Sequence, residues 1–282
     1  MSFHTQDDAG IILVTGATGT VGRPLVEELQ RTGHRVRALT RNPAAAGLPQ
    51  GVEVVGGNLS DTASLAAAFD GVIAVHLIGF GDNYAPLSNG AEIMALAQRA
   101  GVRKVTRLRG EVEKTALDYA VEASGLEWTY LSPVEFMANV LEWSASIKTE
   151  GVVREGFADG KSAPIHEADI AAVAAAALTG DGHAGKEYQL TGPEVLTPPQ
   201  KMHILGKAIG RTLRFVELTQ EEMTAKWRGQ GYTDDDLEFF LAMLNDPPIP
   251  GDVVLPTVGA VTGKPARTFA AWAREHRAAF VA

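Results

Sequence analysis

The sequence contains no cysteine, and its basic residues are outnumbered by its acidic ones. Without cysteine there can be no disulfide framework, no thiolate metal site and no cysteine nucleophile. Lys and Arg total 25 against 34 Asp and Glu, which gives a formal net charge of -9. Proteins that bind the nucleic-acid backbone usually carry a basic face, so this balance argues against a nucleic-acid partner.

Long apolar runs are also missing. The longest ones, such as Ile11–Val14 and Ala171–Leu178, are much shorter than the roughly 20 residues that a membrane-spanning helix needs. The N-terminal MSFHTQDDAG is polar and acidic and lacks the pattern of a secretory signal. The histidines are scattered, with no HxH or HxxxH pair, so no metal site is expected. We therefore predict a cytoplasmic protein that does not bind membranes.

Short β-rich runs alternate with helical patterns through the first half of the chain. This βαβ rhythm predicts an α/β fold with a parallel sheet and helices on both faces. The predicted strands are Ile11–Thr15, Arg35–Thr40, Val52–Gly56, Val72–Ile78, Val102–Leu108 and Leu126–Leu131. A helix over Glu111–Ser124 is predicted before the last of them.

The second half of the chain has a different pattern, with more helix. Two short strands, Glu187–Leu190 and Leu213–Val216, lie among predicted helices, the last of which covers Pro265–Phe280. We expect residues 1–150 to form one domain and residues 151–282 a smaller α/β domain that shares its core with the first. Trp227, Trp272 and Phe269 are expected in the core of the smaller domain.

The strongest chemical signal is TGATGTVG, residues Thr15–Gly22, which follows the first predicted strand and begins the first helix. Glycines there permit a tight turn and let a pyrophosphate approach the backbone, while free N–H groups and the positive helix end attract its charge. The spacing is GxxGxxG rather than the GxGxxG of the commonest dinucleotide fingerprint. The alternative is a glycine-rich turn that binds nothing.

The second predicted strand favours NADP(H) over NAD. An NAD site usually has an Asp or Glu about 20 residues after the first glycine, where it bonds the ribose 2′-hydroxyl. Here RVRALTRN contains no acid and includes Arg41, whose guanidinium can pair with a 2′-phosphate. The alternative is a solvated Arg41 at the strand end, and Arg37 is expected to lie on the face of the strand.

The predicted cofactor-binding residues lie in the glycine loop and around the ends of the strands. They are Gly16, Thr18, Gly19, Thr20, Val21, Gly22, Arg41, Asn42, Asn58, Leu59, Leu77, Ile78 and Pro133.

Several segments together resemble one family. TGATGTVG, LTRNP and GNLSD, followed by SGLEWTYLSPVEFMANVL, HEADIA and YQLTGPEVLT, are similar to motifs of the NmrA-like branch of the atypical short-chain dehydrogenase/reductase superfamily. The resemblance covers most of residues 10–215. It implies a Rossmann-like doubly wound parallel sheet, a smaller C-terminal substrate domain and a preference for NADP(H).

The catalytic pair of the ordinary short-chain dehydrogenases is missing. None of the 5 tyrosines has a lysine four residues on, and the end of the fifth predicted strand reads Arg107-Leu108-Arg109-Gly110 where their serine would lie. Isoflavone-reductase-like members of the branch imply a different group, a lysine near the start of the following helix, and Lys114 matches it. A lysine in a dry pocket would have a lowered pKa and could pass a proton to a substrate oxygen. The alternative is that Lys114 is a charge on a solvated helix face.

Four residues are predicted to line the substrate pocket. Phe136, Met137 and Asn139 are expected to form a wall near the nicotinamide, and His166 to face the cleft. Elsewhere, His76 is expected to be a core histidine, and Asp169 is expected to cap a helix.

These features favour an NADP(H)-binding oxidoreductase that reduces a small carbonyl, quinone or enone by hydride transfer. Two alternatives stay open, because a shared fold does not settle function. One is a non-catalytic NADP(H) redox sensor that acts through a protein partner, and the other is a redox-neutral isomerase or cyclase. Besides its small-molecule substrate, the partners considered are a second copy in a homodimer and a regulatory protein.

Overall fold

The computed structural model describes residues 10–82, 85–111, 113–245 and 251–281. These residues form two compact units. The first contains the described residues up to 133 together with 167–189 and 260–263, and the second contains the rest. This division differs from the boundary expected at residue 150, because 134–150 pack within the second unit and 167–189 return to the first.

The described residues form nine strands. Their bounds are β1 Ile11–Val14, β2 Arg35–Thr40, β3 Glu53–Gly56, β4 Val72–Leu77, β5 Lys104–Leu108, β6 Glu127–Pro133, β7 Val152–Gly156, β8 Lys186–Leu190 and β9 Arg214–Leu218. Seven of them form one sheet in the order β3-β2-β1-β4-β5-β6-β8, in which the pairs from β3 to β6 are parallel. The order reverses between β1 and β4, so this sheet has the switch point at which doubly wound folds bind ligands.

The described residues also form eleven α-helices and four short 3₁₀ segments. The α-helices are α1 Gly22–Arg31, α2 Ala66–Phe69, α3 Gly90–Ala100, α4 Ala116–Ala123, α5 Ser144–Glu150, α6 Glu167–Thr179, α7 Pro198–Ile209, α8 Gln220–Gly229, α9 Asp234–Asn245, α10 Thr257–Thr262 and α11 Phe269–Glu275. The 3₁₀ segments are Pro43–Ala45, Thr62–Leu65, Met137–Trp143 and Arg277–Ala279.

Helices cover both faces of the first unit's sheet. Leu13 and Val75 project from neighbouring strands into a core that Ile93 of α3 and Leu117 of α4 complete. α1 and α6 pack against each other, and α6 also contacts β4, β5 and β6. The central strands β1 and β4 are nearly continuous apolar runs, which is typical of strands that are buried on both faces. The predicted α/β fold with a Rossmann-like doubly wound sheet is therefore confirmed.

The second unit is built around a separate core. In it β7 and β9 form a parallel two-stranded sheet, and the 3₁₀ segment and helices α5, α7 and α11 contribute large apolar side chains. Phe269 and Trp272 are fully buried there, as predicted, with their ring centroids 5.7 Å apart. Trp227 packs instead on Phe240 of α9, at 5.3 Å between centroids.

Some predicted elements are shorter in the structure. α4 begins at Ala116 rather than near Glu111, because the Thr115 side chain accepts a hydrogen bond from the Asp118 backbone in a capping box. The helix predicted over Pro265–Phe280 is reduced to α11, for which Thr268 is the N-cap. Neither β7 nor the 3₁₀ segment Met137–Trp143 was predicted, since short segments carry little periodic pattern.

His76 lies on β4 in the middle of the first unit and is fully buried. Its Nδ1 is 2.9 Å from the Thr106 hydroxyl, while its Nε2 has no hydrogen-bond partner among the described residues. Burial lowers the pKa of His76 to about 4, because desolvation disfavours the imidazolium ion. The side chain is therefore neutral at neutral pH, and the prediction of a core histidine is confirmed.

We expect the free energy of unfolding to fall as the pH is lowered from about 6.5 towards about 4. In that window the unfolded chain binds a proton at His76 that the folded chain does not bind, so the slope should approach about 1.4 kcal/mol per pH unit. Urea unfolding at a series of pH values measures this slope. His76→Gln keeps a polar side chain without the titration and should flatten the slope. An equal slope in the two proteins would rule out His76 as its source.

Candidate functional site

The β1–α1 loop is folded around three glycines. Gly16 has a φ of +60°, which L-residues with a side chain rarely adopt. A Cβ on Gly22 would lie 2.1 Å from the Gly16 carbonyl oxygen, so only glycine fits there. The Gly19 amide donates to the same oxygen at 2.9 Å. Together these contacts hold the loop tightly against the start of α1.

The N-terminus of α1 is not capped by a side chain. Val21 occupies the N-cap position without a side-chain hydrogen bond, and the first turn contains no acid. Thr18, Gly19 and Thr20 just before it are exposed. The first amides of a helix lack internal partners and carry its positive dipole end, so this loop is suited to an anion such as a pyrophosphate.

The other predicted cofactor residues follow strands of the same sheet. Arg41 and Asn42 follow β2 and are exposed, Asn58 follows β3 and is half-buried, and Pro133 ends β6. Because the strands are parallel, their carboxyl ends lie along one edge, which is where β1 delivers the glycine loop.

Three of the predicted residues offer mainly backbone to this edge. The side chains of Leu59 and Leu77 belong to the buried core of the first unit, and the Val21 side chain is also buried. Ile78 is half-buried and packs over Gly16, and its amide donates to the Thr15 hydroxyl at 3.1 Å. Thr15 in turn donates to the His76 carbonyl at 2.9 Å, which ties the loop to the end of β4.

Arg41 is paired with Asp82, a residue that was not predicted to belong to the site. The Arg41 Nη1 lies 3.0 Å from Asp82 Oδ1, and the Asn58 amide donates to Asp82 Oδ2 at 2.7 Å. The hydrogen bond from Asn58 and then that from Arg41 lower the pKa of Asp82. Asp82 follows β4, two strands away from β2 in the sheet, so only the path of the chain after β4 brings it here.

Arg37 has a structural role, as the sequence suggested. Its guanidinium is buried, lies 3.0 Å from Glu53 Oε1, and donates to the carbonyl groups of Ala68 and Asp70 at the end of α2. A cation near a helix C-terminus is stabilised by the negative end of the helix dipole. Arg37 is thus already paired and does not face the exposed part of the edge.

Lys114 is exposed and lies just before the N-cap of α4. Its ammonium is 2.8 Å from Glu122 Oε1, and the hydrogen bond to Glu122 raises the pKa of Lys114. The expected dry pocket and lowered pKa were therefore wrong, because a solvated lysine beside a carboxylate is held in its charged form. The geometry fits the alternative of a solvated surface charge.

A buried ionic network occupies the end of β5. Arg107 and Asp118 are fully buried, with Arg107 Nε 2.9 Å from Asp118 Oδ1. Arg107 also pairs with Glu111 at 3.0 Å, and Arg109 pairs with Glu187 at 3.0 Å. Burial alone would raise the pKa of Glu111, but the hydrogen bonds and charge of Arg107 hold it below its ordinary value.

This network stands where the ordinary short-chain dehydrogenases have their serine. The Gly79 Cα faces it closely, since a Cβ there would lie 2.4 Å from the Arg107 guanidinium. Its charges compensate one another, so the network fixes the end of β5 rather than offering a free catalytic group. The sequence showed the two arginines but not the Asp118 that pairs with them.

The four residues predicted to line a substrate pocket belong to the second unit. Phe136 is half-buried and Asn139 is exposed. Met137 lies in the core of the second unit, which differs from its predicted place in a pocket wall. His166 is buried, with Nε2 3.0 Å from Glu275 Oε2. Asp169 lies in the first turn of α6 and is also buried.

Metal-ligand clusters and membrane-spanning helices are both absent from the described residues. Within 10–82, 85–111, 113–245 and 251–281, no three His, Asp or Glu side chains are grouped as metal ligands would be. In the same part of the chain, none of the helices has the length and apolar character needed to cross a membrane.

Known proteins match this chain over nearly its whole length. A family model described as "NmrA-like family" matches residues 8–106. The (4-alkanoyl-5-oxo-2,5-dihydrofuran-3-yl)methyl phosphate reductase of Streptomyces griseus is 38% identical over 96% of this chain and 99% of its own. The NAD(P)H azoreductase of Xenophilus azovorans is 33% identical over 96% of this chain and 99% of its own.

A solved structure is similar as well. The NADPH-dependent quinone oxidoreductase of Escherichia coli, crystallised with NADPH, has 26% identity and a TM-score of 0.73 over 94% of this chain and 99% of its own. The glycine loop, the parallel sheet and the full-length relatives agree with one another, and the chain belongs to the NmrA-like family of the atypical short-chain dehydrogenases/reductases.

Proposed function

We propose that this protein is an NADP(H)-dependent reductase of small, conjugated, electron-poor molecules. The observation that carries the proposal is the edge of the first unit's sheet. At this edge the glycine loop meets the uncapped N-terminus of α1, and an exposed arginine, Arg41, follows β2, a strand that contains no acid. A pyrophosphate and a 2′-phosphate are the two anions that NADP(H) would bring to such an edge.

The residues present fit this cofactor. The close approach of Gly22 to Gly16 leaves the loop backbone open to a pyrophosphate, which Thr18, Gly19 and Thr20 would contact. Arg41 would hold the 2′-phosphate, with Asn42 beside it. Asn58 and Leu59 would flank the adenine. The backbone of Leu77 and Ile78, together with Pro133, would flank the rest of the dinucleotide.

The names of the relatives support the kind of acceptor. They name an unsaturated lactone phosphate, azo compounds and quinones as the molecules that those proteins reduce. All three are conjugated systems that accept a hydride and a proton. A substrate of this class is therefore proposed here, and the second unit is proposed to select it, with Phe136 and Asn139 as candidate contacts.

When bound, the cofactor supplies the hydride, and this chain orients the acceptor and excludes water around it. Reduction also needs one proton for each hydride. Lys114 is solvated and paired with Glu122, and the chain has no Tyr-x-x-x-Lys. We infer that the proton comes from water, which can protonate the enolate or hydroquinone anion of such an acceptor without a dedicated acid.

The test is NADPH oxidation by the purified protein with a quinone, an enone and an azo dye. At least one acceptor should accelerate NADPH consumption, with kcat/KM at least about tenfold higher for NADPH than for NADH, as one pairing with the 2′-phosphate would give. Lys114→Ala should keep kcat within about twofold, because a solvated ion pair contributes little.

Two results would contradict these statements separately. A fall in kcat of a hundredfold or more in Lys114→Ala, with NADPH binding unchanged, would restore the lysine as proton donor. Tight NADPH binding without turnover of any acceptor would contradict the reductase and favour the redox sensor.

A further inference from the structure

Asp82 and Arg41 form an exposed ion pair at the edge proposed to bind the cofactor. The Arg41 side chain is 68% exposed and the Asp82 side chain is 50% exposed, so neither is a buried charge that requires an ionic partner. The Asp82 carboxylate is nevertheless bound at both oxygens, by Arg41 on one side and by Asn58 on the other.

The chain after β4 is packed closely enough to place Asp82 there. A Cβ on Gly81 would lie 1.9 Å from the Ser60 hydroxyl oxygen and 3.2 Å from Ser60 Cβ, so the chain after β4 passes close to Ser60. The Asp82 amide faces the same hydroxyl at 3.3 Å, and the Gly81 amide donates to the Ala85 carbonyl at 2.9 Å. Asp82 is thus held beside the turn that follows β3.

A carboxylate in this position affects the two cofactors in opposite ways. It has the same charge sign as a 2′-phosphate and is paired with Arg41, the residue proposed to hold that phosphate, so the two anions compete for Arg41. A ribose 2′-hydroxyl carries no charge and can donate a hydrogen bond to a carboxylate. That is the role that an acid at the end of β2 plays in NAD-binding relatives of the fold.

We propose that Asp82 is a specificity-determining residue that replaces the missing acid of β2. It weakens the binding of NADP(H) by competing with the 2′-phosphate for Arg41, and it supports the binding of NAD(H) by accepting a hydrogen bond from the 2′-hydroxyl. The inference rests on the proposed function, since it needs the adenosine half of the cofactor to bind at this edge. It extends that function, because it makes the protein less selective for NADP(H) than Arg41 alone would.

The test is the binding of four ligands to Asp82→Asn, measured by titration without any acceptor. The ligands are NADPH, NADH, adenosine 2′,5′-bisphosphate and adenosine 5′-monophosphate. The variant keeps the shape of the side chain and one acceptor oxygen but removes the charge. NADPH and the bisphosphate should bind about fivefold more tightly or better, the effect of one like charge at contact distance in water. NADH and the monophosphate should bind equally or more weakly.

Asp181→Asn is the matched control. Asp181 is a fully exposed acid of the same unit, paired with Lys104 at 3.0 Å. The Asp181→Asn variant removes the same charge from another part of the surface. It should leave all four affinities within about twofold, since long-range interactions between exposed charges are screened by salt.

Two results would overturn the role of Asp82. One is an NADPH affinity that is unchanged or weaker in Asp82→Asn. The other is an equal gain for NADPH and NADH, which would indicate a general charge effect. Both leave the reductase intact, whereas a wild-type protein that binds neither dinucleotide would contradict the proposed function itself.

Discussion

Replacing Asp118 with alanine is expected to lower the free energy of unfolding by about 3–5 kcal/mol, the usual effect of removing one partner of a buried ion pair. Asp118 is fully buried beside Arg107, and its Oδ1 is 2.9 Å from Arg107 Nε. Without it, the Arg107 charge would stay in the interior with only the partly exposed Glu111 as a carboxylate partner. The variant also loses the hydrogen bonds from the Thr115 amide and hydroxyl to Asp118 Oδ2.

Thermal and urea unfolding measure this loss. For a chain of this size, about 3–5 kcal/mol should lower Tm by roughly 10 °C. Asp181→Ala removes an acid whose side chain is fully exposed and should leave Tm nearly unchanged. If the two variants lose equal stability, the buried network does not hold the end of β5 in the way described.

Replacing Arg41 with alanine is expected to raise the Kd for NADPH about 30-fold and to leave the Kd for NADH within about threefold. A guanidinium that pairs with a phosphate contributes roughly 2 kcal/mol or more, and the lower value is appropriate because Arg41 is 68% exposed. NADH has no 2′-phosphate, so it does not use this contact.

Fluorescence titration of both dinucleotides measures the two constants. Arg35→Ala is the matched control, because Arg35 is an exposed arginine at the opposite end of the same strand, β2. It should change neither Kd by more than about twofold. Equal weakening of NADPH and NADH in Arg41→Ala would contradict the assignment of Arg41 to the 2′-phosphate.

The local parts of the site could be predicted from the sequence. A strand, a turn with three glycines and a helix are encoded by neighbours in the chain. Glycine most readily adopts the +60° φ at Gly16, and only glycine fits the close approach at Gly22. The absence of an acid from β2 is also a local fact. The assignment of these residues to cofactor binding remains a prediction until the titrations are made.

The predictions for Lys114 and Met137 were wrong because a local motif does not specify which other elements surround a side chain. Lys114 was placed by analogy of spacing, but the Thr115 capping box begins α4 only after it, and the Glu122 carboxylate in the last turn of α4 pairs with its ammonium. Met137 was placed in a pocket wall from a short apolar motif, whereas the second unit's core takes it up. Periodicity describes one element and says little about which elements meet.

The sequence by itself determined the alternation of strands and helices, the glycine loop and the excess of acid that makes Arg41 a local exception. These depend on backbone geometry and on residues close together in the chain. Only the tertiary structure decided that Asp82 meets Arg41, that Asp118 neutralises Arg107, and that Lys114 is solvated. Asp82 meets Arg41 because the parallel sheet brings loops from separate crossovers to one edge. The other two outcomes depend on burial, because the electrostatic energy of a charge depends on what surrounds it in space.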